Sequence, residues 1–255
     1  MASRFYSIAF VLITGIFCLV LSPYLPFVTV QAQTMQERKE EADRLLNLGS
    51  LQFADRMWNL RSQQFNKSIV AAIQSWQKAL TIYCEIKDRF GESYALGSLG
   101  NAYNALGKYD KAIEFYLQRL AIEMEIRDNF SEKIDLNNLG RAFYSLGKYD
   151  KAIEFYLQRL ANARGNGDRE DEGTTLVALG KVYKKLGKNE LAIDYYTRSV
   201  KVRESFRQDI RKFDKGAQQF YLNTISSDYK ALADLLIQQG RNLEAQQILV
   251  LLKVN

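Results

Sequence analysis

An all-α fold of stacked helix pairs is what this sequence predicts, and three observations predict it. Residues 106–121, LGKYDKAIEFYLQRLA, recur without a change at residues 146–161, and a looser copy occupies residues 186–200. A motif returning at one interval, here 40 residues, marks a stacked-repeat architecture. Composition agrees: the chain has 47% hydrophobic and 25% charged residues but only 2 Pro, a balance that favours helices. Every copy also opens on the same Gly-Lys pair, a recurring stop between two helical patterns.

The regular units explain themselves position by position. Each first helix carries a Leu-Gly pair (Leu99-Gly100, Leu139-Gly140, Leu179-Gly180), and an aromatic follows three residues after the Gly, as Tyr103, Phe143 and Tyr183. Turns fall at Gly107, Gly147 and Gly187, where glycine permits the positive φ that ends a helix. Each second helix then places Ala112, Ala152 or Ala192 at the crossing and Tyr116, Tyr156 or Tyr196 one turn on. A glycine inside a helix costs about 1 kcal/mol relative to Ala. Its return in three successive helices implies close approach of a neighbouring helix, with Ala facing it and aromatics filling the wider gap. Asp88, Asp128 and Asp168 are the expected N-caps at the unit boundaries.

Outside the regular units the pattern loosens. Residues 1–32 read as an export signal, with Arg4, an apolar core over 8–21, Pro23 and Pro26, and Val30-Gln31-Ala32 as a cleavage site. Export after cleavage near Ala32 is the expectation. An uncleaved anchor over residues 8–30 is the alternative, and the case in which a membrane becomes a partner. Residues 33–41 read as a charged, solvated lead-in, followed by a repeat stack over 42–255 in approximate units 42–87, 88–127, 128–167, 168–213 and 217–255. In the first unit, residues 62–68 are expected to hold a widened turn, and residues 71–86 a strong amphipathic helix. Residues 201–213 extend the second helix of the fourth unit. A break at 214–216 and a segment over 217–228 precede a final pair over 229–252, with Gly240 in its turn.

These units resemble tetratricopeptide repeats (TPR), helix pairs with small residues at the crossing and large ones around it. The longer period resembles the longer-helix variety. The resemblance covers about residues 42–202 and implies TPR-like helix-turn-helix repeats stacked into a right-handed superhelical solenoid. Arg119 and Arg159 depart from it, standing where the family commonly has a small residue. The ending, ADLLIQQGRNLEAQQILVLLKVN, together with the signal and the QERKEEADRLL entry, is similar to the repeat region of exported bacterial CHAT proteins, which precedes their caspase-like peptidase domain. No His occurs in the chain, so that family's Cys-His dyad is not carried over. The expectation is a standalone or truncated relative, or one whose catalytic part is a separate polypeptide.

Composition excludes further chemistry. Without His there is no Ser-His-Asp triad and no imidazole metal site. Cys18 leaves with the signal, and Cys84, expected as a small buried hydrophobe, cannot form an intrachain disulfide alone. The acids are scattered among Lys and Arg on helix faces, and each Gly is accounted for by a crossing or a turn. No catalytic residue, metal or cofactor is therefore expected, and the aromatics at repeat positions read as core. A net charge of +6 lacks the clustered basicity of a dedicated nucleic-acid binder.

Function is then expected on the first helices, which line the concave side of such a stack. The candidate groove residues are Tyr94, Ser98, Asn101 and Asn104 in the second unit. In the third they are Asn137, Asn138, Arg141 and Tyr144, and in the fourth Thr174, Lys181, Lys184 and Lys185, with Val177 beside them. Asn suits the backbone of an extended peptide, and Lys and Arg add a preference for acids. The reading is a non-catalytic scaffold or adaptor that binds a protein or peptide. One rival is a regulatory subunit docking to a separately encoded CHAT-type peptidase through an apolar end at Ile248, Leu249 and Leu252. The other is a weak polyanion or nucleic-acid binder. Self-association through the ends of the stack is a further expectation.

Overall fold

The computed structural model describes residues 25–55, 62–210 and 214–253, and all of its regular structure is helical. Ten helices follow one another among the described residues: α1 (Leu25–Asp55), α2 (Ser62–Ile86), α3 (Arg89–Ala105), α4 (Tyr109–Ile126), α5 (Asn129–Ser145), α6 (Tyr149–Gly165), α7 (Arg169–Lys185), α8 (Asn189–Ile210), α9 (Lys215–Gln238) and α10 (Asn242–Val250). None is long and apolar enough to cross a membrane among the described residues. The apolar core of the expected signal, residues 8–21, lies outside the described residues, as does Cys18. The chain forms two compact units, residues 1–102 and 103–255.

In the first unit, α1 and α2 pack along each other around Ala42, Ala79 and Tyr83, joined by Ala95 of α3. The Trp76 indole lies over Gly49 and donates from Nε1 to the Leu46 carbonyl at 3.1 Å. Tyr83 donates from its hydroxyl to Asp43 Oδ1 at 2.7 Å. The expected lead-in over 33–41 is instead interior to α1. Its charges face solvent, while Lys39 pairs with Asp88 and Ala42 is fully buried. Residues 62–68 likewise open α2 rather than forming a turn, and Ser68 and Ile69 are already buried in it. Cys84 is exposed, contrary to expectation, because it falls on the outer face of α2 while Tyr83 beside it takes the core position.

The second unit repeats one arrangement. The Tyr156 ring covers Gly140 and the Tyr196 ring covers Gly180, where a Cβ would lie 3.0 Å from Tyr196 Cε1. The aromatic itself fills the space that the glycine leaves, rather than flanking a close helix contact made by Ala. Ala152 and Ala192 are fully buried beside these rings. Near each turn, two aromatics stack almost parallel: Tyr103 on Phe115, Phe143 on Phe155 and Tyr183 on Tyr195, at 5.3, 5.4 and 5.1 Å. They are packing elements, as the spacing predicted.

The expected break and final pair need one correction. Asp214 caps α9 by accepting from the Ala217 amide, but α9 then runs unbroken to Gln238, so the 217–228 segment and the first helix of the last pair are one element. Its buried stripe of Leu222, Ile225, Tyr229, Leu232 and Leu236 keeps helical spacing throughout and packs on Tyr196 and Val200. Tyr229 donates to Glu204 Oε1 at 2.9 Å. Arg207 of α8 donates to the carbonyls of Leu251 and Lys253, supplying partners to backbone that α10 leaves open.

Candidate functional site

The two arginines that break the repeat pattern are the first polar feature of the core. Arg119 on α4 is nearly buried and donates from Nε to Glu123 Oε1 at 2.6 Å and from Nη1 to Asp135 Oδ1 at 3.2 Å. Arg159, its duplicate on α6, is as buried but pairs through Nη2 with Asp171 of α7 and donates from Nη1 to Asn137 Oδ1 at 2.8 Å. A charge removed from water is tolerated only when it is paired in good geometry. These partners are what let a long cation occupy a position that usually holds a small residue.

Arg159 also lies under a cleft of about 570 Å³ formed by α5, α6, α7 and α9. Its walls bring together Asn137, Arg141 and Tyr144 of α5 with Thr174, Val177 and Lys181 of α7. Arg141 and Lys181 stand at equivalent positions of successive repeats, and both are exposed. Neither forms an ion pair among the described residues. Burial pushes the Tyr156 phenol up to about 12, against the opposing charges of Arg141 and Arg159, so it is a neutral hydroxyl at pH 7. Burial also raises Tyr144, with Tyr149 adding to it.

The other predicted residues divide among different places. Tyr94, 65% exposed, and exposed Asn101 lie on α3 with half-buried Ser98, all in the first unit. Half-buried Asn104 and Asn138 do not line the cleft. Lys184 and Lys185 are exposed in the last turn of α7, where a cation interacts favourably with the helix dipole without any ligand. Ile248 and Leu252 are half-buried against the core beneath α9, while Leu249 is exposed. The end of the last pair is therefore only partly open, because α8 and α9 already cover one side of it.

Sequence reasoning missed Ser145, Arg159 and Asp228 as cleft residues and assigned Tyr156 to packing alone. Arg159 gave a signal, since its size breaks the repeat pattern. Asp228 gave none, being on a helix outside the period. A second hollow of about 420 Å³, lined by Phe130, Glu132, Lys133, Asn162 and Asp168, satisfies its own polar groups. There Lys133 pairs with Asp168 at 2.9 Å, and Asn162 donates to Glu132 at 2.8 Å. Among the described residues, no group of His, Cys, Asp and Glu is placed to hold a metal ion.

The repeat segment and the fold have counterparts among known proteins. Residues 132–205 match the family model of the tetratricopeptide repeat, and residues 57–129 match that of the rapsyn N-terminal myristoylation and linker region. No curated protein matches the chain. Among solved structures, the chain is similar to a kinesin light chain candidate of Podospora anserina with nearly identical TPR-like repeats (18% identity, 84% of this chain and 95% of that one, TM-score 0.61). It is similar to BtubC from P. vanneervenii (18% identity, 86% and 89%, TM-score 0.55). It is also similar to the Rap conjugation gene regulator of the plasmid pLS20, solved in complex with the Phr* peptide (20% identity, 80% and 50%, TM-score 0.50).

Proposed function

We propose that this chain of tetratricopeptide repeats is a non-catalytic adaptor that holds an extended peptide of a partner protein in the cleft between α5 and α7. The observation that carries the reading is the cleft itself. It gathers five of the twelve groove positions picked from sequence, and two of them, Arg141 and Lys181, are exposed cations with no ion pair among the described residues, while the one acid of the lining, Asp228, is held by Arg203. Cations beside a hollow can make charge-assisted hydrogen bonds to a ligand that enters it. The Rap regulator of pLS20, which shares the fold, was solved with a peptide, and this supports a peptide as the class of ligand. Export through residues 1–32 and cleavage near Ala32 belong to the same proposal.

The test is a random-peptide display library panned against the full chain and against an Ala178→Trp variant. Ala178 lines the cleft at the edge of the core cluster around Tyr156 and is partly exposed, so an indole there narrows the hollow, and circular dichroism checks that the fold is kept. Enrichment on the wild type that disappears on the variant supports the reading. Peptides that enrich equally on both would sink it.

A second reading rests on the last helix. Leu243, Leu249 and Val250 of α10 are exposed at 71%, 39% and 59%, with Ile237 of α9 at 50%. Docking of a separately encoded CHAT-type peptidase on this surface predicts capture that depends on Leu249 and Val250 and ignores Arg141.

A further inference from the structure

We infer that Arg203 of α8 is a positioning residue for the cleft: without lining it, Arg203 ties Thr174 of α7 to Asp228 of α9 and so holds those two walls at a preset spacing. This rests on the peptide reading above and concerns how that cleft is kept ready for its ligand.

The need for such a tie arises at α9. The 40-residue period relates α5 to α7, but α9 lies outside it, so its seat is not inherited from the repeat pattern. The third copy also departs from the first two at the arginine: Ser199 stands where they have Arg119 and Arg159, and Arg203 follows one turn later. Arg203 is 4% exposed and reaches α7, α9 and its own helix. From Nη2 it meets Asp228 Oδ2 at 3.1 Å and, at a longer 3.5 Å, Thr174 Oγ1. From Nε it donates to Ser199 Oγ at 3.3 Å, and Ser199 in turn donates to the Gly173 carbonyl at 2.8 Å. Gly173 makes room for this arrangement, since a Cβ there would lie 3.2 Å from Arg203 Cγ; the preceding repeat has Lys133 at that place.

Arg159 is built the same way one joint earlier. It donates to Asn137 of α5 and pairs with Asp171 of α7, so each arginine spans the first helix of its own pair and the first helix of the next. Asn137, Thr174 and Asp228 all line the cleft, whereas Arg203 does not. A guanidinium suits this place, because its rigid fork of donors can serve two helices at once, while an ammonium is a single point charge. A site whose walls are already at their working spacing binds without first having to order them.

The experiment compares the full chain with the double variant Arg203→Met, Asp228→Asn, which removes the tie without stranding a carboxylate. Spin labels at Lys185→Cys on α7 and Asn223→Cys on α9, both exposed, report the spacing of the two helices by pulsed dipolar spectroscopy in a Cys18→Ser, Cys84→Ser background. The expected result is a broader distance distribution in the double variant, and a narrow one in Asp228→Asn alone, which keeps an oxygen for Arg203. With peptides recovered from the display library, stopped-flow mixing should show association slowed about threefold to tenfold and dissociation little changed, since only chains with their walls in place can bind. Tyr229→Phe removes the Glu204 bond between α8 and α9 without touching Thr174, and should leave the distribution and both rates as in the wild type. If the double variant does not fold by circular dichroism, Arg203→Lys takes its place with the same outcome expected, because a lysine offers one point charge instead of the fork. An unbroadened distribution with unchanged association overturns the inference and leaves the peptide reading standing. Equal broadening in Tyr229→Phe overturns it too, by making Arg203 one packing contact among others. A library that yields no peptide sinks the peptide reading instead, while the distance distribution still decides the role of Arg203.

Discussion

Asp135 shows how a single residue acquires a property that no sequence pattern announces. It is fully buried on α5, shares Arg119 with Glu123, and its carboxyl is pushed up to about 8, by burial first and then by the neighbouring Glu123, against the pull of Arg119. The folded chain thus keeps a proton that the unfolded chain releases near pH 4. Stability is highest on the acid side of that window and falls as pH rises from about 4 to about 8. Urea midpoints measured across that range should decline for the wild type and flatten for Asp135→Asn, which still offers an oxygen to Arg119. The capping residues Asp88, Asp128 and Asp168 have lowered pKa values, held down by backbone amides together with Lys39, Ser131 and Lys133 in turn, so their contribution is lost only below about pH 4 and does not confuse the test. Arg119 could be marked from the sequence as an oddity, because a long cation replaced a small residue. Its acids could not be assigned, since Glu123 and Asp135 are two among many on amphipathic helices, and only packing shows which of them lose water.

At the scale of elements, the repeating Gly and aromatic positions were legible because both serve one purpose in every pair. The ring of Tyr156 occupies the room that Gly140 leaves, so Gly140→Ala forces the ring to move despite the better helix propensity of Ala. A loss of about 1–3 kcal/mol is expected in chemical denaturation. The ends of the second helices were less legible. Lys87, Arg127 and Gly167 all close the unit before a capping Asp with positive φ, at 58°, 58° and 67°, yet only the third copy has the residue that signals it. A left-handed residue with a Cβ costs about 1–2 kcal/mol. Arg127→Gly should therefore raise the denaturation midpoint, by somewhat less than that because glycine also loosens the unfolded chain. Boundaries without glycine or proline were misplaced for the same reason. The lead-in over 33–41 has charges enough for a loop, and its helical state comes from packing of the rest of α1 on α2.

For the whole molecule, the proposed recognition positions fall where the repeats differ. Equivalent positions Asn101, Arg141 and Lys181 change chemistry from one first helix to the next, while the second helices α4 and α6 are identical over 109–121 and 149–161. The binding prediction belongs to this scale: filling the cleft by Ala178→Trp should abolish peptide capture and leave the melting temperature within a few degrees of wild type. Identical segments in one chain also create a hazard, which the differing partners of the buried arginines answer. A folding chain could seat α4 where α6 belongs, because residues 106–121 and 146–161 cannot be told apart. That misplacement would force Glu123, which travels with Arg119 on α4, into the buried site of Ala163. Inserting a larger side chain into a packed core site costs about 1–3 kcal/mol. The two duplicates share their lettering but not the polar partners of their arginines, so Glu123, Asp135, Asn137 and Asp171, all outside the duplicated letters, are what distinguish one seat from the other.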